Sequence, residues 1–425
     1  MKIFMLCDYY NEALEYQENL LVKYYRKQGH AVTVVASTFD SVFDYYNDKH
    51  DKSLPMRVYE DRGARIIKLP YRYNILNRLR AYIKIDKLLD DAKPDLIYVH
   101  DIMLNLPECV RYVRNHPQCK MILDYHADYS NSGNSWLSRK VLHGIVRKRF
   151  LDQARPHLAR IFPIVPAGST FLHEVYGIPH DEMELLPLGA DTDLGQQVRQ
   201  SGARARLRTA HDLDEQDCVI FTGGKLDPLK RTEDLIDAVV ATAAENVVLM
   251  IIGDSPPHQP EYRKMLEQHA AGSKNIRFVG WQNAAAVYEY LDMADIAIFP
   301  ASQSILWQQA ISMGLPLIVG ERSAAAMQLQ DVSYLNDEDN IVVLKAQLPM
   351  VDELKFHIDR LAGDRSERQR MSAGARLVTE RMLNWNTLID RTLRFNSSDS
   401  APPDSAPPDS EAPNADRLAA TEALS

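Results

Sequence analysis

Lys225 and Lys230 stand five residues apart in the run GGKLDPLKR, residues 223–231. Gly223 and Gly224 precede them and let the backbone approach a ligand closely. A helical pattern with an acidic first turn (Glu233, Asp234) follows. Two cations beside a positive helix end make a cradle for a diphosphate. The run is not a Walker A loop, because no Gly-Lys-Ser/Thr closes it. An ordinary polar strand-to-helix loop is the plain alternative. Three further loops follow strand-like runs: Gly253-Asp254-Ser255-Pro256-Pro257, Gly280-Trp281-Gln282, and Pro300-Ala301-Ser302-Gln303-Ser304. The last leads into a helical stretch with Trp307, Gln308 and Gln309. Four small or polar loops at successive strand ends predict a ligand crevice. Trp281 can pack on a base or on the protein's own core.

In the first half, His100 and His126 each follow a strand-like run (DLIYV and KMILDY). A histidine at a strand's carboxyl end can exchange a proton near neutral pH. Either one can equally be a satisfied structural histidine. The segment after the first strand, CDYYNEALEYQENL, has no GxGxxG, so a dinucleotide site there is unsupported. Asp191-Thr192-Asp193 and Asp212-Leu213-Asp214 have DxD spacing. Both lie in turn-like segments, and such triplets are common by chance, so no metal site is assigned.

The elements that must position these groups are short, apolar and repeated. Predicted strands are 2–6, 31–36, 65–69, 95–99, 120–125, 161–165 and 183–187 in the first half. In the second half they are 218–222, 247–252, 276–279, 295–299, 317–319 and 341–343. Continuous apolar runs of this length suit parallel strands covered on both faces. Amphipathic stretches separate them, as in Leu235, Ile236, Val239, Val240 and Ala243. Strand–helix alternation in both halves predicts two doubly wound α/β domains facing a cleft. The boundary falls in LPLGADTDL, residues 186–194, giving domains 1–188 and 189–375. Helical stretches over 365–378 and 380–395 follow, and 376–395 is expected to return toward the first domain. Residues 396–425 hold a tandem APPDS, five Pro, six acids and one Arg. Such a segment buries too little apolar surface to offset its ordering entropy, and is expected to be disordered.

The chain has 425 residues and a formal charge of 49 − 58 = −9, which disfavours nucleic-acid binding. Its four cysteines form no CxxC and fit a reducing cytosol. No apolar run reaches the ~18 residues needed to span a bilayer. The N-terminus turns polar too soon for a signal peptide. Against the acidic whole, residues 62–87 carry net +7 and residues 139–160 net +6. Both stretches also hold apolar and aromatic side chains, a combination that attracts anionic bilayers. A solvated face explains the same pattern.

Taken together, several segments resemble the retaining glycosyltransferases of family 4, with the GT-B fold. They are YQENLLVKYYRKQGHAVTVVAS, HADYSNSGNSWLS, YGIPHDEMELLPLGADTDL, FTGGKLDPLKRTEDLIDAV, NIRFVGWQNAAAVYEYLDMADIAIFP and SILWQQAISMGLPLIV. The resemblance spans about residues 1–395 and is similar to the branch that makes surface polysaccharides. It implies a nucleoside diphosphate sugar donor, UDP- or GDP-linked, a saccharide or lipid-linked acceptor, and no cofactor or metal. It implies that Lys225 and Lys230 hold the diphosphate and that His126 lies near the donor sugar. Gln17 and Glu18 fall by the first-strand loop that approaches the phosphates. Gly223, Gly224, Gly253 and Asp254 complete the phosphate side. Val279, Gly280 and Trp281 match the segment that holds the base through main-chain groups. Ser302, Gln303, Ser304, Ile305 and Gln309 match the donor-sugar and ribose side. Two glutamates of the family pattern align here with Ala301 and Gln309. The implied location is cytoplasmic, with a peripheral association at the inner face of the membrane. The same sequence leaves open a catalytically silent binding partner and a nucleotide-sugar epimerase.

Overall fold

The computed structural model describes the chain through residue 396, apart from 14, 40–54, 76–77, 130, 134, 257–258, 302–303, 321–331, 337 and 346–348. The Pro/Ser-rich segment 397–425, read from the sequence as disordered, lies outside the described residues.

The first domain is built on β1 (Lys2–Leu6), β2 (Ala31–Ser37), β3 (Arg57–Asp61), β4 (Ala64–Leu69), β7 (Leu96–His100), β8 (Lys120–Tyr125) and β9 (Arg160–Pro163), with β5 (Tyr71–Ile75) and β6 (Leu79–Tyr82) forming a separate antiparallel hairpin. The sheet order is β3-β4-β2-β1-β7-β8-β9, parallel except for β3. The second domain holds β10 (Cys218–Gly223), β11 (Val247–Ile252), β12 (Ile276–Gly280), β13 (Ile296–Phe299), β14 (Leu317–Gly320) and β15 (Ile341–Leu344), ordered β12-β11-β10-β13-β14-β15 and all parallel. Side chains alternate along the strands into an apolar cluster on each face. Phe4 and Leu6 enter one cluster, while Ile3 and Met5 enter the other. Val219 and Phe221 divide from Cys218 and Ile220 in the same way. Burial on both faces explains why the strands read as unbroken apolar runs.

β1 pairs with β2 on one side and β7 on the other, and β10 pairs likewise with β11 and β13. The strand order reverses at these two places, and there a crevice opens at the carboxyl ends. The first helix, α1 (Gln17–Lys27), starts beside the β1 crevice.

The sequence reading needs correction in three places. Residues 183–187 form no strand; Met183 makes one isolated bridge to Ile161, and the chain runs extended beside β9 into the linker. Pro187 has no amide hydrogen to continue a ladder. The basic stretch 62–87 contains β4 and the β5–β6 hairpin, where aromatic and cationic residues alternate with strand period. β3 (RVYED), an exposed antiparallel edge, carries too few apolar residues to read as a strand.

After the helix Arg365–Val378 the winding loosens to a π-helical turn over Thr379–Leu383, and Asn384 breaks it at φ −78°, ψ 111°. The next helix, Trp385–Leu393, inserts Trp385, Leu388 and Ile389 into the first domain's core beside Ile3 and Met5. The Tyr25 hydroxyl lies 2.5 Å from Thr392 Oγ1. The linker and this returning segment run side by side, with Ala190 bridged in parallel to Asn384. A Cβ on Gly189 would stand 2.7 Å from both Leu388 Cδ1 and Trp385 Nε1, so only glycine fits the crossing.

Candidate functional site

The loops at the carboxyl end of the second sheet are held by backbone contacts that side chains would block. Gly224 donates to the Ile252 carbonyl at 2.8 Å, and Gly253 donates to the Gly280 carbonyl at 2.8 Å. A Cβ on Gly253 would meet Gly224 O at 2.0 Å, and one on Gly223 would meet Ile252 O at 2.3 Å. Gly224, Gly253 and Gly280 sit at φ +100°, +116° and +83°, backbone that L side chains rarely adopt. The three loops therefore pack as a rim of bare backbone.

Against this rim lies a cavity of about 650 Å³. Gly224, Lys225, Gly253, Trp281, Gln282, Ser304, Ile305 and Gln309 line it from the second domain, and Glu15 and Tyr16 close it from the first. Trp281 stands 60% exposed at the mouth. Gln309 is buried, and its Oε1 has no hydrogen-bond partner among the described residues. Lys225 is half-exposed, 4.0 Å from Asp227 Oδ2. Lys230 ends the short turn Pro228–Lys230, which Asp227 caps by accepting the Leu229 amide at 3.0 Å. Lys230 stands outside the cavity lining, in the same loop as Lys225 and just before the helix Thr232–Ala241. Burial pulls its pKa below the ordinary lysine value; Asp227 opposes this and Lys225 adds to it. Asp254 and Val279 are also outside the lining; Asp254 accepts from Arg263 at 3.2 Å. Ala301 is buried, and Ser302 and Gln303 lie outside the described residues.

Two smaller cavities continue the cleft into the first domain. One, about 280 Å³, is lined by Glu15, Tyr16, Gln17, Glu18, His100, His126 and Ile305 among others. The other, about 180 Å³, joins His126 and Asp128 to Ser304, Ile305 and Gln308. The site thus brings Gln17, Glu18 and His126 to the same cleft as Lys225 and Gln309. At its first-domain end, fully buried Asp124 accepts from Tyr98 Oη at 2.9 Å and lies 3.0 Å from His126 Nε2 and 3.1 Å from His100 Nδ1. His100 Nε2 faces Glu18 Oε1 at 3.5 Å. Burial opposes the charge on Asp124, but the two imidazoles overcome it and hold the carboxyl well below the usual range. Burial likewise opposes the His100 imidazolium; Asp124 and then Glu18 reverse this and raise its pKa to about 10.

The sequence reading passed over Asp124, Glu15 and Tyr16. Asp124 had a signal: an acid inside the apolar strand KMILDY needs a buried partner. Glu15 and Tyr16 had none, since only the domain packing brings them to the cavity. The DxD pairs serve structure. Asp191 caps the helix Thr192–Gln200 and binds Lys23 at 2.5 Å and Tyr24 Oη at 2.9 Å. Asp193 binds Lys27 at 2.6 Å. Asp212 and Asp214 lie in the turn before β10, where the Asp214 amide donates to Asp217 Oδ2 at 2.9 Å. Among the described residues, no helix is long and apolar enough to cross a membrane.

Comparison with known proteins gives this geometry a class. Residues 19–194 match the model of glycosyltransferase family 4, and residues 216–358 match that of the glycosyl transferases group 1. No curated protein matches the chain by sequence. Among solved structures, it is similar to the sucrose-phosphate synthase of Thermosynechococcus elongatus (15% identity, TM-score 0.62, covering 93% of this chain and 98% of that one). It is similar to Anabaena Alr3699/HepE in complex with UDP and glucose (15% identity, TM-score 0.60, 93% and 100% covered). It is also similar to WaaG, a glycosyltransferase involved in lipopolysaccharide biosynthesis (14% identity, TM-score 0.56, 93% and 100% covered). The two family models and the shared two-domain fold define a glycosyltransferase of the GT-B type.

Proposed function

We propose that the protein moves a sugar, with retention of configuration, from a UDP- or GDP-linked donor to a saccharide or lipid-linked acceptor in surface polysaccharide synthesis. The observation that carries this reading is the bare-backbone rim of Gly224 and Gly253 beside Lys225, set on the large interdomain cavity. A diphosphate at this rim meets close-packed backbone with no side chain in its way, the two ammonium groups and the start of a helix. The base then lies toward Trp281 and Gln282, and the orphaned Gln309 Oε1 accepts from a ribose hydroxyl. The sugar extends along the cleft toward His126.

Departure of the nucleoside diphosphate builds negative charge on its β-phosphate. Lys225 and Lys230 stabilise that charge as it forms. Their two positive charges serve in place of a metal. The cleft offers His126 to bind donor or acceptor hydroxyls. In same-face attack, the leaving phosphate oxygen takes the acceptor's proton as the new glycosidic bond forms. Closure of the domains over the cleft limits hydrolysis by excluding water.

An anionic bilayer is the proposed source of the acceptor. Tyr73, Ile75 and Ile83 are exposed on or just after the hairpin, as are Trp136, Leu137 and Ile145 at the helix that begins at Ser138. Arg72, Lys84, Arg139, Lys140 and Arg149 are exposed in the same two segments. Arg147 donates to the Arg78 carbonyl at 3.2 Å and ties the two segments together.

Lys230→Ala should lower transfer by about 10²–10³-fold with the fold intact, read as release of nucleoside diphosphate from a panel of UDP- and GDP-sugars. An unchanged rate would remove the phosphate clamp. In a parallel thermal-shift screen the cognate nucleoside diphosphate should raise Tm.

A further inference from the structure

β7 and β8 run parallel with His100 in register with Asp124, and His126 follows two residues later. Three side chains from two adjacent strand ends thus converge. One ligand atom from each of His100, Asp124 and His126 lies within 4.8 Å of the other two. His100 Nδ1 and His126 Nε2 stand 3.1 and 3.0 Å from the same carboxylate oxygen, Asp124 Oδ2. A tetrahedral ion with bonds of about 2.0–2.1 Å holds its ligands roughly 3.3 Å apart; the two nitrogen–carboxylate separations are close to that spacing.

His126 Nε2 is hydrogen-bonded to Asp124 in this structure, and the surroundings of the triad also suit an ion. His100 Nδ1 is buried 3.1 Å from Asp124 Oδ2, and an ion bound there releases the proton that Asp124 and Glu18 hold on this imidazole. Its other nitrogen faces the Glu18 carboxylate at 3.5 Å, the outer-sphere arrangement that orients a metal-binding imidazole. Asp124 is itself steadied by Tyr98 Oη at 2.9 Å and by the Asp101 amide at 3.3 Å. Gln17 lines the same cavity, is 7% exposed, and keeps its buried Oε1 without a partner among the described residues.

We infer that His100, Asp124 and His126 bind a divalent ion of the zinc type, with its fourth position open to the 280 Å³ cavity. Two imidazoles and one carboxylate suit Zn²⁺, Co²⁺ or Ni²⁺ and not Mg²⁺ or Ca²⁺. The open position takes water or a ligand hydroxyl. Because the ion engages His126 in the cleft, it competes with the donor sugar and inhibits transfer. That last clause rests on the proposed function; ion binding itself does not.

The test uses the tag-free full chain after chelator treatment. CoCl₂ titration should produce the intense visible absorption of low-coordinate Co²⁺ at one equivalent, displaced by ZnCl₂. Calorimetry should show Zn²⁺ binding that falls at least ~10-fold in His100→Gln and in His126→Gln. His173→Gln, which alters the separate His173–His180 pair, should leave it unchanged. Circular dichroism confirms that each variant is folded; Asp124→Asn is avoided because its carboxyl is fully buried. Absent Zn²⁺ binding, equal binding of MgCl₂, or affinity unaffected by both cleft variants would overturn the site. Nucleoside diphosphate binding is measured separately on metal-free protein. Zn²⁺ binding without it would sink the transfer reading and keep the ion site; the reverse would do the opposite.

Discussion

Burial weakens the protonated form of Lys230, and Lys225 weakens it further, while Asp227 works against both. A bound diphosphate supplies the missing counter-charge, so donor binding and protonation of Lys230 reinforce each other. The sign follows: affinity falls as pH rises through the Lys230 pKa, which lies below the ordinary lysine value. Donor affinity measured against pH should show this alkaline limb, and Lys230→Arg should move it upward, because a guanidinium keeps its proton. A limb that stays in place in the arginine variant would assign the titration elsewhere. At this scale the sequence was legible in placement, since a residue next to a strand end reaches the crevice, as Lys225 and His126 do. It was silent on Glu15 and Tyr16, which reach the cavity only through domain packing. The buried Ala301 offers no polar side chain where the family pattern has a carboxylate.

The strand-to-helix loops of the second domain depend on glycine more than on any side chain. Gly253→Ala would force a Cβ into the Gly224 carbonyl at 2.0 Å and would strain a backbone at φ +116°. The loop must then move, and Lys225 moves with it. We expect nucleoside diphosphate affinity to fall more than tenfold, with a stability loss of about 1–3 kcal/mol by denaturant unfolding. Gly272→Ala, at φ +84° with nothing within 4 Å of the added Cβ among the described residues, is the control for backbone strain alone. Near-equal affinity losses in the two variants would show that the tight approach at Gly253 carries no weight. Strands such as β1, β8 and β11 were legible to the residue because burial on both faces imposes an apolar run. The β5–β6 hairpin was missed for the opposite reason: four of the five residues of β5 are exposed, so no burial pattern marks it. Its alternating tyrosines and arginines were read as part of a basic amphipathic segment.

Taken as a whole, the molecule sets acidic charge, net −9, against a basic and aromatic face on the first domain. Vesicles containing an anionic lipid should bind the full chain at low salt and release it as salt rises. Lys140→Gln with Arg149→Gln should weaken binding by about 2 kcal/mol, roughly thirtyfold, at about 1 kcal/mol per charge. Binding that ignores salt or the double variant would remove the membrane face from the proposal. The helix Trp385–Leu393 has a different implication, for the order in which the chain can fold. Trp385, Leu388 and Ile389 fill the space beside Ile3 and Met5, yet they are made almost four hundred residues later. A growing polypeptide on the ribosome therefore holds its earliest strands with one side unfinished until synthesis has passed through the entire second domain. Chaperone dependence should concentrate in that interval, and a ribosome-stalled chain ending before Trp385 should be cut by protease in its first domain.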